Sequence, residues 1–239
     1  MTTDEFSNEF DTIIDSYRRF KDFDSKEELD SLDFNEFEKS LFLTKAQEEI
    51  VLEYYNGKNP FNESFEKTEE IRRYLSNLIK TYTTVDKKTG YTGLSSNSVF
   101  FELPEDLWFI TYESVNLKDD NLGCKNGEGI PVVPVTQDNY NRISRNPFKN
   151  TNDRRALRLD LGDKLVEIVS KYNVESYLVR YVARPAPIVL INLPDDLTIN
   201  GISTKTECKL NPVIHRTILE RATRLAIISK VPNTDAGKE

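Results

Sequence analysis

Near Ser98 the apolar residues stop recurring every three or four positions and begin to alternate, with β-branched and aromatic residues enriched. A chain with that change in period has to build a helical part and a β part, so an α+β fold is expected. Before the change, Phe6, Phe10, Ile13, Ile14, Tyr17 and Phe20 define one apolar helical face over residues 4–20. A second helix over 34–55 carries two stripes, Phe37, Leu41, Thr44, Val51 and Tyr55 beside Phe42, Ala46, Ile50 and Tyr54, and is expected to be covered from two sides. Gly57, Asn59 and Pro60 supply its stop. A third helix is expected over 65–82 from Ile71, Leu75, Leu78, Ile79 and Tyr82, completing an N-terminal bundle. Between the helices, residues 21–33 read as a charged connector with a short turn at 26–29.

After the change, strands are expected at 99–102, 107–115, 131–135, 156–161, 165–170, 175–182 and 188–191. Together they form an antiparallel, sandwich-like domain. Its aromatics Phe100, Phe101, Trp108, Phe109 and Tyr112 read as sheet core. Asn211 before Pro212 starts a final helix that rejoins the core. The domain reading is therefore an acidic helical region 1–85, a linker or mobile loop 86–97, a β-rich domain 98–209, a C-terminal helix 210–230 and a flexible tail 231–239.

The stretch 131–158 is the junction between these styles. It reads as a strand, a helical turn capped by the Thr136 hydroxyl, and an extended exit forced by Pro147 on Asn146. Between Arg142 and Arg158, the bases Arg142, Arg145, Lys149, Arg154, Arg155 and Arg158 face one acid, Asp153. Such a cluster either meets an acidic partner or is a solvated loop.

The net charge of −8 conceals a polarity. Residues 1–70 hold 20 acids and 8 bases, whereas the remainder holds 20 acids and 24 bases. An acidic end discourages autonomous nucleic-acid binding, and a dipolar layout suits contact between copies or docking in a stack of proteins. The acidic start Met-Thr-Thr-Asp-Glu lacks the basic and apolar regions of a signal peptide, and no apolar run is long enough for a bilayer. Cys124 and Cys208 lie far apart, which fits reduced thiols in a protein made in the cytoplasm better than a disulfide.

Residues suited to catalysis do not assemble into a motif. Gly123, Gly127 and Gly129 lack the Gly-Lys-Ser/Thr ending of a phosphate loop. His215 is the single histidine, too few for a zinc site with two remote cysteines, and is assigned a structural or surface place. Asp119, Asp120, Asp195 and Asp196 sit in turn-like loops that favour aspartate for local bonding. No catalytic, cofactor or metal residue is assigned. A metal-dependent nuclease or a DNA-binding accessory protein is the alternative reading, the first testable at Asp119 or Asp195 and the second at Arg154 and Arg155.

Several segments together resemble a known family. They are the helix with Phe37, Glu38, Lys39, Ser40, Leu43, Thr44, Ala46, Gln47 and Glu48, the junction from Val135 to Phe148 with Tyr140 and Asn146-Pro147, the strand reaching Tyr181, Arg184, Pro185 and Ile188, and the final helix with Leu210, His215, Glu220 and Ala222. In that order they are similar to the neck proteins of tailed phages of Bacteroides, the ring or head-to-tail adaptor proteins of crAss-like phages. The resemblance implies a structural virion protein without catalytic residues or cofactor. It would form a cyclic homo-oligomer of about twelve copies beneath the portal, connect capsid to tail and surround the DNA path. Portal and other neck or tail proteins would be partners, non-specific contact with packaged DNA stays open, and no membrane is involved. The residues then expected to shape the β core and the ring contacts are Tyr140, Arg142, Arg145, Asn146, Pro147, Arg154, Arg155, Arg158, Tyr181, Arg184 and Pro185.

Overall fold

A computed structural model describes residues 1–20, 33–58, 63–162, 164–194 and 196–230. The expected connector at 21–33 with its turn, most of the residues around Pro60, Asp195 and the tail 231–239 lie outside the described residues, apart from Asp33. The chain forms two compact units, one from residues 1–78 and 185–239, the other from 79–184.

The first unit is helical. Helix α1 (Thr3–Phe20) buries Phe6, Phe10 and Ile14, as its spacing predicts. Helix α2 (Glu36–Asn56) starts at a full capping box, in which Asn35 accepts from the Glu38 N–H and the Glu38 carboxylate accepts from the Asn35 N–H. It ends at Gly57, whose φ of 72° is the left-handed terminal position glycine reaches without strain. Leu43, Ala46, Ile50 and Val51 are buried on it, whereas Leu41 is 47% exposed. Helix α1 is tied to α2 through the buried Lys39, whose Nζ donates to Asp11 at 2.7 Å, Glu36 at 2.9 Å and Ser7 at 3.2 Å.

The expected third helix is a different object. Helix α3 covers only Glu69–Tyr74, a 3-10 turn follows at Ser76–Leu78, and from Ile79 the chain is a strand. Ile71, Leu75 and Leu78 are buried one turn apart, which is the pattern that suggested a longer helix. The following Ile-Lys-Thr-Tyr-Thr-Thr is rich in β-branched residues and follows its β propensity instead. The third member of the bundle is α5 (His215–Lys230), introduced by a 3-10 turn at Pro212–Ile214 and packed on both α1 and α2. Asn211 caps that turn by accepting from the Val213 N–H at 3.1 Å.

The second unit is a seven-stranded sheet with α4 (Gln137–Ser144) on it. Its strands are β1 (Ile79–Thr84), β2 (Ser98–Glu102), β3 (Leu107–Leu117), β4 (Gly129–Pro134), β5 (Ala156–Gly162), β6 (Leu165–Val169) and β7 (Val174–Ala183). The order is β1-β7-β3-β4-β5-β6-β2, antiparallel throughout except for the parallel pair β4 and β5. The parallel pair exists because α4 serves as the crossover between those two strands. The sandwich-like expectation resolves as one sheet curled on itself. Phe101 on β2 lies at one end of the strand order and Tyr177 on β7 next to the other end, yet their rings are 5.4 Å apart inside the core.

Strand β5 is buried on both faces. Ala156 joins the interior of the curl, while Leu157 and Leu159 on the other face are covered by Tyr140 and Ile143 of α4. Of the aromatics expected in the core, Phe100 and Phe101 are buried, but Trp108 and Phe109 stack on each other half-buried and Tyr112 is 50% exposed. Ile79 of β1 lies opposite Val182 of β7, so the chain enters and leaves this unit on neighbouring strands. No helix among the described residues is long and apolar enough to cross a membrane.

The expected strand at 188–191 is extended but belongs to no sheet. On one side Val189 exchanges both backbone bonds with Thr206, at 3.0 and 2.9 Å. On the other, side chains of α2 take the place of a neighbouring strand, as described next.

Candidate assembly surface and the polar clusters behind it

The eleven residues singled out from the sequence fall in three places. The first is α4 and the loop after it. Tyr140 is buried and carries the packing of α4 on β5. The Thr136 hydroxyl does not cap the helix backbone as expected; it accepts instead from the Asn139 side-chain amide at 2.8 Å. Arg142 is exposed and donates to Asn139 Oδ1 at 2.8 Å. Asn146 leaves the helix before Pro147 as the proline demands, but the exit is a tight turn and not an extended strand. Its Oδ1 accepts from the Phe148 N–H at 2.9 Å, and its carbonyl accepts from the Lys149 and Asn150 N–H groups at 3.1 and 2.9 Å. This Asx turn puts Pro147, Phe148 and Lys149 at the surface, with Phe148 88% exposed.

The basic cluster is thereby divided. Arg142, Arg145, Lys149 and Arg154 reach the surface. Arg155 turns back, donating from Nη1 to the Phe148 carbonyl at 3.0 Å and anchoring the tip. Arg158 leaves the surface altogether.

That residue forms the second place. The Arg158 side chain is buried inside the curl, where Nη1 donates to Glu113 Oε1 at 3.0 Å, while Tyr177 donates to Glu113 Oε2 at 2.6 Å. Asp160 lies 3.1 Å from Arg158 Nε. Burial pushes the Glu113 carboxyl up against the pull of Arg158 and the Tyr177 hydroxyl. Burial alone would lower Arg158, but the Glu113 and Asp160 carboxylates hold it above its ordinary value. Burial and the Glu113 carboxylate raise Tyr177 far beyond the ordinary phenol range, so it stays a donor. Three strands are joined here by charge-assisted bonds.

The third place is the end of β7. Tyr181 is buried, and its hydroxyl donates to Asp106 Oδ1 at 2.9 Å. Burial, with the carboxylate beside it, pushes Tyr181 up to about 12. Burial would also raise Asp106, but Lys80 at 2.5 Å and the Tyr181 hydroxyl outweigh it and hold that carboxyl below its usual range. The Asp106 carbonyl accepts from the Arg184 N–H at 2.7 Å. Pro185 is buried and opens the stretch that returns to the helical unit.

There α2 carries a stripe whose hydrogen bonding the sequence does not reveal. Ser40, Thr44 and Gln47, all buried, stand one helical turn apart. Gln47 Nε2 donates to the Ala186 carbonyl at 2.8 Å, Thr44 Oγ1 accepts from the Ile188 N–H at 3.1 Å, and Ser40 Oγ accepts from the Leu190 N–H at 3.0 Å. A helix thus closes the backbone of an extended chain, residue by alternate residue. The Gln47 carbonyl also accepts from Cys208 Sγ at 3.2 Å, and burial pushes that thiol up to about 11. Both cysteines are free. A signal for this stripe was present: three polar residues between apolar ones at helical spacing.

Among the described residues no three His, Cys, Asp or Glu side chains converge on a metal-sized site. Asp119 caps a 3-10 turn, accepting from the Asn121 N–H at 3.0 Å, and that bond lowers its carboxyl. His215 is buried, with Nε2 donating to the Leu210 carbonyl at 3.0 Å and Nδ1 facing the Met1 amine at 2.8 Å.

These clusters hold chain segments to one another. The sequence profile of the family described as phage tail ring protein 3/4 matches residues 1–238. The chain is 52% identical to "Ring protein 3" of Bacteroides phage crAss001 over 98% of each sequence. It is also 35% identical to "Ring protein 4/5" of the same phage, over 95% of this chain and 92% of that protein. The chain therefore belongs to the phage tail ring protein 3/4 family of crAss-like phages, and it is a structural phage protein, not an enzyme.

Proposed function

We propose that the protein forms a ring in the neck of the phage virion, joining portal and capsid to the tail and surrounding the path of the DNA. The ring would hold about twelve copies, with the portal and other neck or tail proteins above and below it. The chain would be made in the cytoplasm of the bacterial host and act in the virion. One observation carries this reading: the likeness to a ring protein extends over 98% of both chains, so it takes in both units and every surface described above. The geometry supports it. The polar clusters brace segments internally, while the Asn146–Lys149 turn and the acidic helical unit present opposite charge to solvent.

The test is the mass and shape of the purified protein, alone and mixed with the matching portal, by light scattering and negative-stain imaging. Rings, or protein decorating the portal rim, are expected. A monomer at all concentrations that ignores the portal overturns the reading.

A further inference from the structure

A turn on the β unit and a groove on the helical unit are complementary in charge, and each exposes apolar surface. At the tip of the turn Phe148 is 88% exposed, and its backbone is held at both ends, by the Asn146 side chain on its N–H and by Arg155 on its carbonyl. A phenyl ring fixed outward on an anchored turn is the kind of side chain that carries binding energy when a partner covers it. Because the turn is already ordered, little is lost in fixing it on binding. Arg145 and Lys149 flank the ring, both exposed.

The groove has a volume of about 540 Å³ and lies between α3 and the turn that precedes α5. Its wall combines Glu69, Glu70, Arg73, Tyr74, Asn211 and Val213. Val213 is 65% exposed there, an apolar surface without cover. Arg73 is engaged by Glu69 at 2.8 Å, and the Glu70 carboxylate accepts from the Tyr74 hydroxyl. The groove is thus apolar at Tyr74 and Val213 and carries two carboxylates against one guanidinium.

We infer that the Phe148 tip of one copy seats in the Tyr74–Val213 groove of the next, with Arg145 and Lys149 against Glu69 and Glu70. This rests on the ring reading above and specifies the contact that closes it. Tip and groove are different surfaces of one chain, so the contact is head-to-tail, the kind that generates a ring when the repeated rotation closes. Duplex DNA would engage the cations but leave the phenyl ring uncovered, which is why a protein groove is the better occupant.

The test uses two charge reversals in the full chain, each at exposed positions. One is Arg145→Glu with Lys149→Glu, the other Glu69→Lys with Glu70→Lys. Each alone is expected to lose ring formation, because both sides of every contact then carry the same charge. Mixed one to one they are expected to assemble again, since an alternating ring pairs each acidic tip with a basic groove and each basic tip with an acidic one. Phe148→Ser is expected to weaken self-association at least about tenfold, without rescue by salt. Rings from either reversal alone, or no rescue on mixing, overturn the contact while the wild-type ring stands. A wild-type chain that never self-associates overturns the ring reading and the contact with it. Loss of salt-dependent duplex binding from the Arg145 and Lys149 reversal, with its rings intact, assigns the tip to DNA and likewise overturns the contact.

Discussion

Thr44 Oγ1 accepts from the Ile188 N–H at 3.1 Å and donates to the Ile188 carbonyl at 3.3 Å, so one hydroxyl closes both backbone groups of a residue 144 positions away. Thr44→Val keeps the shape and removes that service, leaving a buried donor and acceptor. It should cost about 1–3 kcal/mol in urea unfolding. Ser40→Ala, which removes the acceptor for the Leu190 N–H, should fall at the lower end of that range.

The Glu113–Arg158 pair predicts a larger loss. Arg158→Met leaves the Glu113 carboxylate buried without its countercharge and should cost about 3–5 kcal/mol near neutral pH. Adding Glu113→Gln removes the stranded charge and should recover part of that loss. Denaturation of the single and double variants checks both, and a double variant no more stable than Arg158→Met contradicts the assignment.

His215 provides a pH dependence with a fixed sign. Burial holds its imidazole below the ordinary value of 6.5, so the unfolded chain takes up the proton first. Its contribution is fully present above 6.5 and is lost as pH falls from there through the depressed folded value. As the single histidine of the chain, it should contribute a decline in unfolding free energy as pH falls below about 6.5. His215→Gln should flatten that limb, which unfolding midpoints at half-unit pH steps will read.

Glu167 fastens the loop at residues 85–97 to the sheet. Its side chain, 1% exposed, accepts at Oε1 from the Leu94 N–H at 2.7 Å and from the Ser98 hydroxyl. Glu167→Ala should release that loop, seen as faster proteolytic cleavage within it, together with a stability loss of about 1.5–3 kcal/mol. Gly93 is packed so closely that an added methyl carbon would lie 2.3 Å from Ser98 Cβ. Gly93→Ala should therefore show the same protease sensitivity with Glu167 intact.

Patterns of side-chain burial were legible in the sequence wherever one face decides an element. Helix α1, strand β5 and the start of the last helix fall close to their expected bounds because Phe6 and Phe10, Leu157 and Leu159, and Asn211 with Pro212 each answer to a local rule. The long third helix was misread because Leu75 and Leu78 satisfy a helical spacing that a helix, a 3-10 turn and a strand also satisfy in succession. Arg158 looked like one of six surface cations because a sequence does not show that Glu113, 45 positions earlier, stands across the curl from it. The 188–191 run looked like a strand because apolar alternation reports burial and not the identity of the hydrogen-bonding neighbour, here a helix.

The β unit occupies residues 79–184, between the two stretches that make the helical unit. Order of synthesis follows from that connectivity. As the chain emerges from the ribosome, α1 and α2 appear first but lack α5 and the 186–190 stretch, which supply much of their cover. The sheet, by contrast, is complete once β7 has emerged, and it can fold as a unit while translation continues. The helical unit, with the acidic groove that needs both α3 and Val213, is finished only when the last helix arrives. On the proposed contact, a nascent chain would display its basic tip well before it has the groove to receive one, which would delay self-assembly until synthesis is nearly done.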